Sequence, residues 1–249
     1  MENTNQSNIE NQKGHSFLSH LICYLISYAG LLFFYIFFGV ILLKIPSIAE
    51  MSEACQNTII SFVSYGFTAI SVFIYLWFGG FRDVIMQYKK ITKILFGVMY
   101  GIVLLVGTMF IGAICNYIAI LLNIDLTISD NEAAIRESFK SLPVLMTVTS
   151  VLFAPFTEEV GYRLGIFGGI KQFNRPLAYI ATAVIFGLIH FNFNSTNMGS
   201  ELLNLPSYMF AGAWLCFVYD HEQSLAASTA AHLTNNLIVT IVQLAQYNG

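Results

Sequence analysis

Seven long apolar runs leave this chain few folds to choose from. They are Phe17–Leu43, Ile59–Phe81, Ile94–Leu122, Leu142–Ile170, Pro176–Phe193, Leu202–Asp220 and Leu225–Tyr247. A hydrocarbon core about 30 Å thick is crossed by about 20 apolar helical residues. Inside it, every backbone N–H and C=O must be paired within the protein, which a helix does by itself. Charged residues make up only 10% of the chain, against about 25% in soluble domains, so a water-soluble core would lack polar surface to cover it. The mean hydropathy of +0.68 agrees. The chain therefore reads as an all-α, polytopic transmembrane bundle of about seven spans, an integral multi-pass membrane protein.

Residues 1–16 form a polar, Asn- and Gln-rich tail. The run after it is longer than a signal-peptide core and has no obvious cleavage site, so it reads as a retained first span. Residues 17–141 then hold the N-terminal spans and an outer loop, and 142–249 hold the segment where polar groups gather. Orientation follows the lysines and arginines, which favour the cytoplasmic side. With the N-terminus inside, Lys13, Arg82, Lys89, Lys90, Lys93, Lys171 and Arg175 are cytoplasmic, Lys44, Arg136 and Lys140 are outside, and Arg163 is left within the membrane. In the outer loop, Glu132 to Lys140 reads as a short polar helix or an ordinary solvated connection. A net charge of −3 without a basic, aromatic-rich patch argues against nucleic acid as a partner. The four cysteines, Cys23, Cys55, Cys115 and Cys216, show no CxxC spacing, and three lie in apolar runs as small buried hydrophobes.

Within the fourth run, Thr157-Glu158-Glu159-Val160-Gly161-Tyr162-Arg163 places three formal charges within six residues. An ionised side chain at a helix centre costs roughly 2.5–3.5 kcal/mol on insertion scales. Glu159 and Arg163, four apart, share a helix face and can pair. Glu158 points about 100° away and needs another partner. Two further polar sites interrupt apolar runs: Phe186-Gly-Leu-Ile-His190, and His232-Leu-Thr-Asn-Asn236, whose His232 and Asn236 share a face. Counted from the cytoplasmic markers Lys171, Arg175 and Glu222, all four groups lie about 15–22 Å deep, which places one site toward the cytoplasmic half.

A buried carboxylate with a nearby imidazole can take a proton from water and return it to a leaving amine. A second imidazole and a carboxamide can donate to the oxyanion of a tetrahedral intermediate. Glu158, His190 and His232 also form a possible zinc set with an open fourth position, although no HExxH is present. Ser228 lies one turn before His232, but interior serines are commonplace. Either route, with no cofactor or with Zn²⁺, ends in hydrolysis of a peptide bond within the membrane.

At these residues the chain resembles the CPBP family, the CAAX-protease and bacteriocin-processing (Abi) intramembrane endopeptidases. That family carries EExxxR, FxxxH and HxxxN motifs in this order on separate helices. Here they are Glu158-Glu159 to Arg163, Phe186 to His190, and His232 to Asn236, within Leu142–Asn236; Phe210, Gly212, Tyr219 and Ser224-Leu225 are similar as well. The resemblance implies Glu158 as catalytic carboxylate, His190 as its partner in activating water, His232 and Asn236 as oxyanion groups, and Arg163 as the helix-pairing arginine beside Glu159. It departs at Gly161-Tyr162 and at His221-Glu222-Gln223, which bears on substrate fit. The implied function is a glutamic or metallo-endopeptidase of a bacterial cell membrane, acting near the cytoplasmic side in contact with lipid. Its substrates would be small peptide precursors or CAAX-type C-terminal segments. The alternatives are a non-catalytic regulator or bacteriocin self-immunity protein on the same fold, and a transporter, which is disfavoured because repeated, interrupted spans are missing.

Overall fold

The computed structural model describes residues 15–247, so most of the polar tail and its Lys13 lie outside the described residues. The described residues are helical throughout their regular structure, as the apolar runs require. Six helices are long and apolar enough to cross a membrane: α1 (Phe17–Leu42), α2 (Glu53–Phe78), α3 (Ile91–Leu122), α5 (Pro143–Lys171), α7 (Met198–Glu222) and α8 (Leu225–Tyr247). Between them lie α4 (Asp130–Ser141), the polar helix of the loop before α5, and α6 (Arg175–Ile189). The expectation of seven spans is corrected at α6, which has 15 residues. Its apolar run is longer than the helix because Phe191 and Phe193 continue it into the following loop.

Caps and turns fall where the sequence supplies them. Ser52, Ser129, Asn174 and Asn197 each accept a hydrogen bond from a backbone N–H in the first turn of α2, α4, α6 and α7. Asn123 ends α3 and Gln223 ends α7, both in the left-handed conformation. Helix α5 is not a uniform α-helix. Wider π turns at Thr149–Phe153 and Val160–Phe167 flank the α-helical stretch Ala154–Glu159 that holds both glutamates. Such insertions often mark functional sites in helices.

Small residues let the helices approach closely. A Cβ on Gly161, Gly165 or Gly168 would come within 2.9 Å of Ser27, Tyr24 or His20, so that face of α5 lies directly on α1. Gly97 and Gly101 do the same for α3 against α8, where a Cβ would meet the carbonyl oxygens of Ala227 at 2.4 Å and Ala231 at 2.5 Å. Outward faces stay apolar, as in Leu32, Phe33 and Ile36 of α1 and Phe110 and Ile120 of α3, as a lipid-facing surface needs.

Each end of the bundle is tied by its own polar network. At the end bearing the 79–93 connection, buried Asp220 pairs with Lys171 and accepts from Arg175 Nε at 2.7 Å and Tyr179 Oη at 3.0 Å. Lys93 Nζ donates to Glu222 Oε2 at 2.9 Å, and Leu225 N donates to Gln87 Oε1 at 2.7 Å. At the opposite end, buried Glu201 accepts from the backbone N–H of Asp130 at 2.7 Å and of Asn192 at 3.1 Å. Ser200 Oγ donates to the Thr127 carbonyl at 2.7 Å, fixing the loop before α4 to the start of α7.

Candidate active site

Glu159 and Arg163 are fully buried and side by side, with Arg163 Nε 3.0 Å from Glu159 Oε2. The contact is one of charge, since no guanidinium nitrogen of Arg163 has a hydrogen-bond partner. The guanidinium also lies over the Phe186 ring at 5.1 Å and near that of Tyr162 at 5.8 Å, so aromatic faces supply part of its solvation. Glu159 has further duties that spacing alone did not reveal. Ser228 Oγ donates to its Oε2, and His232 Nδ1 donates to its Oε1 at 3.0 Å. Ser228, one turn before His232, thus serves this carboxylate.

That hydrogen bond orients His232. With Nδ1–H committed to a carboxylate, the neutral ring presents Nε2 as its free nitrogen, and Nε2 lies 3.9 Å from Glu158 Oε2. Glu158 points away from Arg163, as the helical spacing predicts, and accepts a long contact of 3.5 Å from Tyr65 Oη of α2. The imidazole beside Glu158 is therefore that of His232. His190 occupies the C-cap of α6, where its Nδ1 donates to the Phe186 carbonyl at 2.7 Å. Its ring stacks on Tyr208 with centroids 4.7 Å apart and planes 12° from parallel. Asn236 Nδ2 donates to the Ser150 carbonyl at 2.9 Å, which leaves its second N–H uncommitted. Tyr65, Tyr208 and Ser150 belong to ordinary-looking apolar or polar runs, and only the packing assigns them a place.

Glu158, His190, His232 and Asn236 all line one cavity of about 640 Å³, a size suited to burying a ligand. All eight helices contribute to its walls, α1 through Tyr35, with Ser61, Ser138 and Gln243 among its polar lining. A smaller pocket of about 60 Å³, lined by Tyr24, Tyr28 and Tyr162, reaches Glu158 from the side of α1. The large cavity is lined by α4 and by the far ends of α2 and α8, and none of its lining residues lies in 79–93, 171–175 or 216–225.

The zinc set is also not assembled. Among the described residues no three His, Cys, Asp or Glu side chains are grouped to hold a metal ion. His190 is held through Phe186 and Tyr208, while His232 is held by Glu159. This arrangement of donors does not fit the ion.

Comparison with known proteins finds matches to the segment that holds these residues. Residues 140–238 match the family model for type II CAAX prenyl endopeptidase Rce1-like proteins. Among curated proteins, the chain is 30% identical over 117 residues to "Putative membrane peptidase YdiL" of Bacillus subtilis (strain 168), covering 47% of this chain and 44% of that protein. It is 26% identical over 116 residues to "UPF0177 protein YvdC" of Lactococcus lactis subsp. lactis (strain IL1403), covering 47% and 42%. The chain thus matches under half the length of each relative. No solved structure matches it. The stretch that matches the Rce1-like CAAX prenyl endopeptidase model, residues 140–238, contains Glu158, Glu159, Arg163, His190, His232 and Asn236.

Proposed function

We propose that the protein is an intramembrane endopeptidase that hydrolyses a peptide bond with water activated by Glu158. The observation that carries this reading is the pairing of Glu158 with the free nitrogen of a histidine held from behind by a second, buried carboxylate. At 3.9 Å the two groups stand wider apart than a direct hydrogen bond, so both can address one oxygen between them. Glu158 takes a proton as the water oxygen bonds to the substrate carbonyl carbon, and gives it to the amine as the C–N bond breaks. The free Nε2 of His232 accepts the water's second hydrogen and so orients its lone pair toward the carbonyl carbon, while Glu159 holds the ring in place. The uncommitted N–H of Asn236 is a donor for the developing oxyanion, and His190 lines the same cavity.

The separate anchoring of His190 and His232 supports glutamic rather than metal-dependent chemistry. Peptide precursors, including bacteriocin-type ones, and CAAX-type C-termini are the substrate classes that the resemblance supports. The test is cleavage of a fluorogenic peptide library by purified protein in detergent. Glu158→Gln should abolish cleavage while leaving thermal unfolding unchanged. Metal analysis before and after chelation, with activity followed in parallel, separates the two chemistries. A Glu158→Gln variant with wild-type turnover would refute the assignment, and a tightly held zinc whose removal stops cleavage would overturn the glutamic mechanism.

A further inference from the structure

Resting on the peptidase reading, we infer that the active site takes its substrate from the non-cytoplasmic side of the membrane, as an extended peptide segment that threads past α4. Two independent features carry this, the first being the distribution of charge between the two ends of the bundle. The end bearing the 79–93, 171–175 and 220–223 segments holds Arg82, Lys89, Lys90, Lys93, Lys171 and Arg175, against Asp83, Asp220 and Glu222. The opposite end holds only Lys44, Arg136 and Lys140, against Glu50, Glu53, Asp125, Asp130, Glu132, Glu137 and Glu201. Excess Lys and Arg in short connections marks the cytoplasmic side. The end that carries α4 therefore faces outward.

The second feature is the cavity itself. It runs from Glu158 and His232 to the α4 end, where Ser129, Glu132 and Ser138 line it, and no segment of the basic end contributes to it. One face of α8, made by His232, Asn236, Val239 and Gln243, runs along its length. The rise from His232 to Gln243 is about 16 Å at 1.5 Å per residue, the length of about five extended residues. Along that wall two acceptors stand without a hydrogen-bond partner: Asn235 Oδ1 and Gln243 Oε1. Gln243 is 3% exposed, and its Nε2 is engaged by Glu132 at 2.7 Å. Both oxygens are closed off from the open space of the cavity, so a peptide segment meets this wall through its length and through the side chains that line it. The substrate is thus a flexible tail or loop of a peptide displayed on the outer face, and not a prenylated C-terminus in the cytoplasm.

The experiment has one arm for sidedness and one for chemistry. In a Cys55→Ala background, Ser61→Cys and Ser138→Cys in the cavity and Lys90→Cys at the basic end are exposed to a membrane-impermeant maleimide in intact cells. Labelling of Ser61→Cys and Ser138→Cys without permeabilisation, with Lys90→Cys labelled only after it, is the expected result; the reverse pattern overturns the inference. The protein is then sealed into liposomes whose orientation is scored by the same labelling, and a charged, impermeant fluorogenic decapeptide is added outside. Cleavage should come from the population with Ser138 outward and vanish from the population with Lys90 outward. Cleavage in detergent alongside vesicle cleavage only from the Lys90-outward population refutes the direction and leaves the peptidase reading standing. Absence of Glu158-dependent cleavage in detergent refutes the peptidase reading, while the labelling still decides on which side the cavity opens.

Discussion

A single methyl group on α3 should disable the site from the opposite face of α8. Gly101 touches α8 so closely that a Cβ would stand 2.5 Å from the carbonyl oxygen of Ala231 and 2.7 Å from Thr234 Cβ. Ordinary C···O contacts are about 3.3–3.6 Å, so Gly101→Ala requires a separation of about 1 Å. The oxygen belongs to helical backbone next to His232 and cannot swing aside. Helix α8 must therefore shift and carry His232 and Asn236 away from Glu158. A misplacement of about 1 Å costs about 100-fold in turnover, and overpacking of this kind lowers stability by about 1–3 kcal/mol. Gly112→Ala, on the same helix with nothing within 4 Å of the new methyl, is the control and should stabilise by about 0.5–1 kcal/mol. The assay is peptide cleavage and thermal unfolding in the same detergent. Gly101→Ala with the turnover and melting temperature of Gly112→Ala would refute the claim that close α3–α8 contact positions the site.

Glu159→Gln leaves Arg163 buried without its counter-charge and should destabilise by about 3–5 kcal/mol; because Glu159 also holds His232, turnover per folded molecule should fall as well, measured after normalising to folded protein. Tyr208→Leu removes the stack on His190, worth about 0.5–1.5 kcal/mol, and should slow cleavage roughly two- to twelvefold; Tyr208→Phe keeps the stack and should retain most activity despite losing the bond to Ser129. Asp220→Asn weakens the contacts to Lys171, Arg175 and Tyr179 and should lower unfolding stability by about 1–2 kcal/mol; kcat should not change, since none of these residues lines the cavity.

The helical class and most of the bundle were legible because the apolar runs admit little else. So was the division of labour between Glu158 and Glu159, since spacing of four decides which carboxylate meets Arg163. What stayed hidden depends on partners far along the chain. The imidazole beside Glu158 is that of His232, because Glu159 aims it from a helix 73 residues away. The π turns of α5 leave no clear mark in residue type, being selected by packing against α1 and α8. The stack of Tyr208 on His190 and the tether of Asn236 to Ser150 likewise join residues whose local sequence carries no signal. The side on which the cavity opens depends on where helices diverge, and no count of residues along one helix records that.

Helix α6 has 15 residues, a length of about 22 Å, well short of a hydrocarbon layer of about 30 Å. His190 at its end, with the loop carrying Phe191 and Phe193, therefore stands below the level at which the neighbouring helices reach the headgroups. Lipid beside α6 must thin to meet this short wall, at a cost of a fraction of a kcal/mol for each ångström of mismatch. The dimple lies beside His190, one of the residues that line the cavity. Bilayer thickness then becomes a control on the reaction: acyl chains matched to α6 favour hydration of the site, and progressively longer ones starve it of its second reactant.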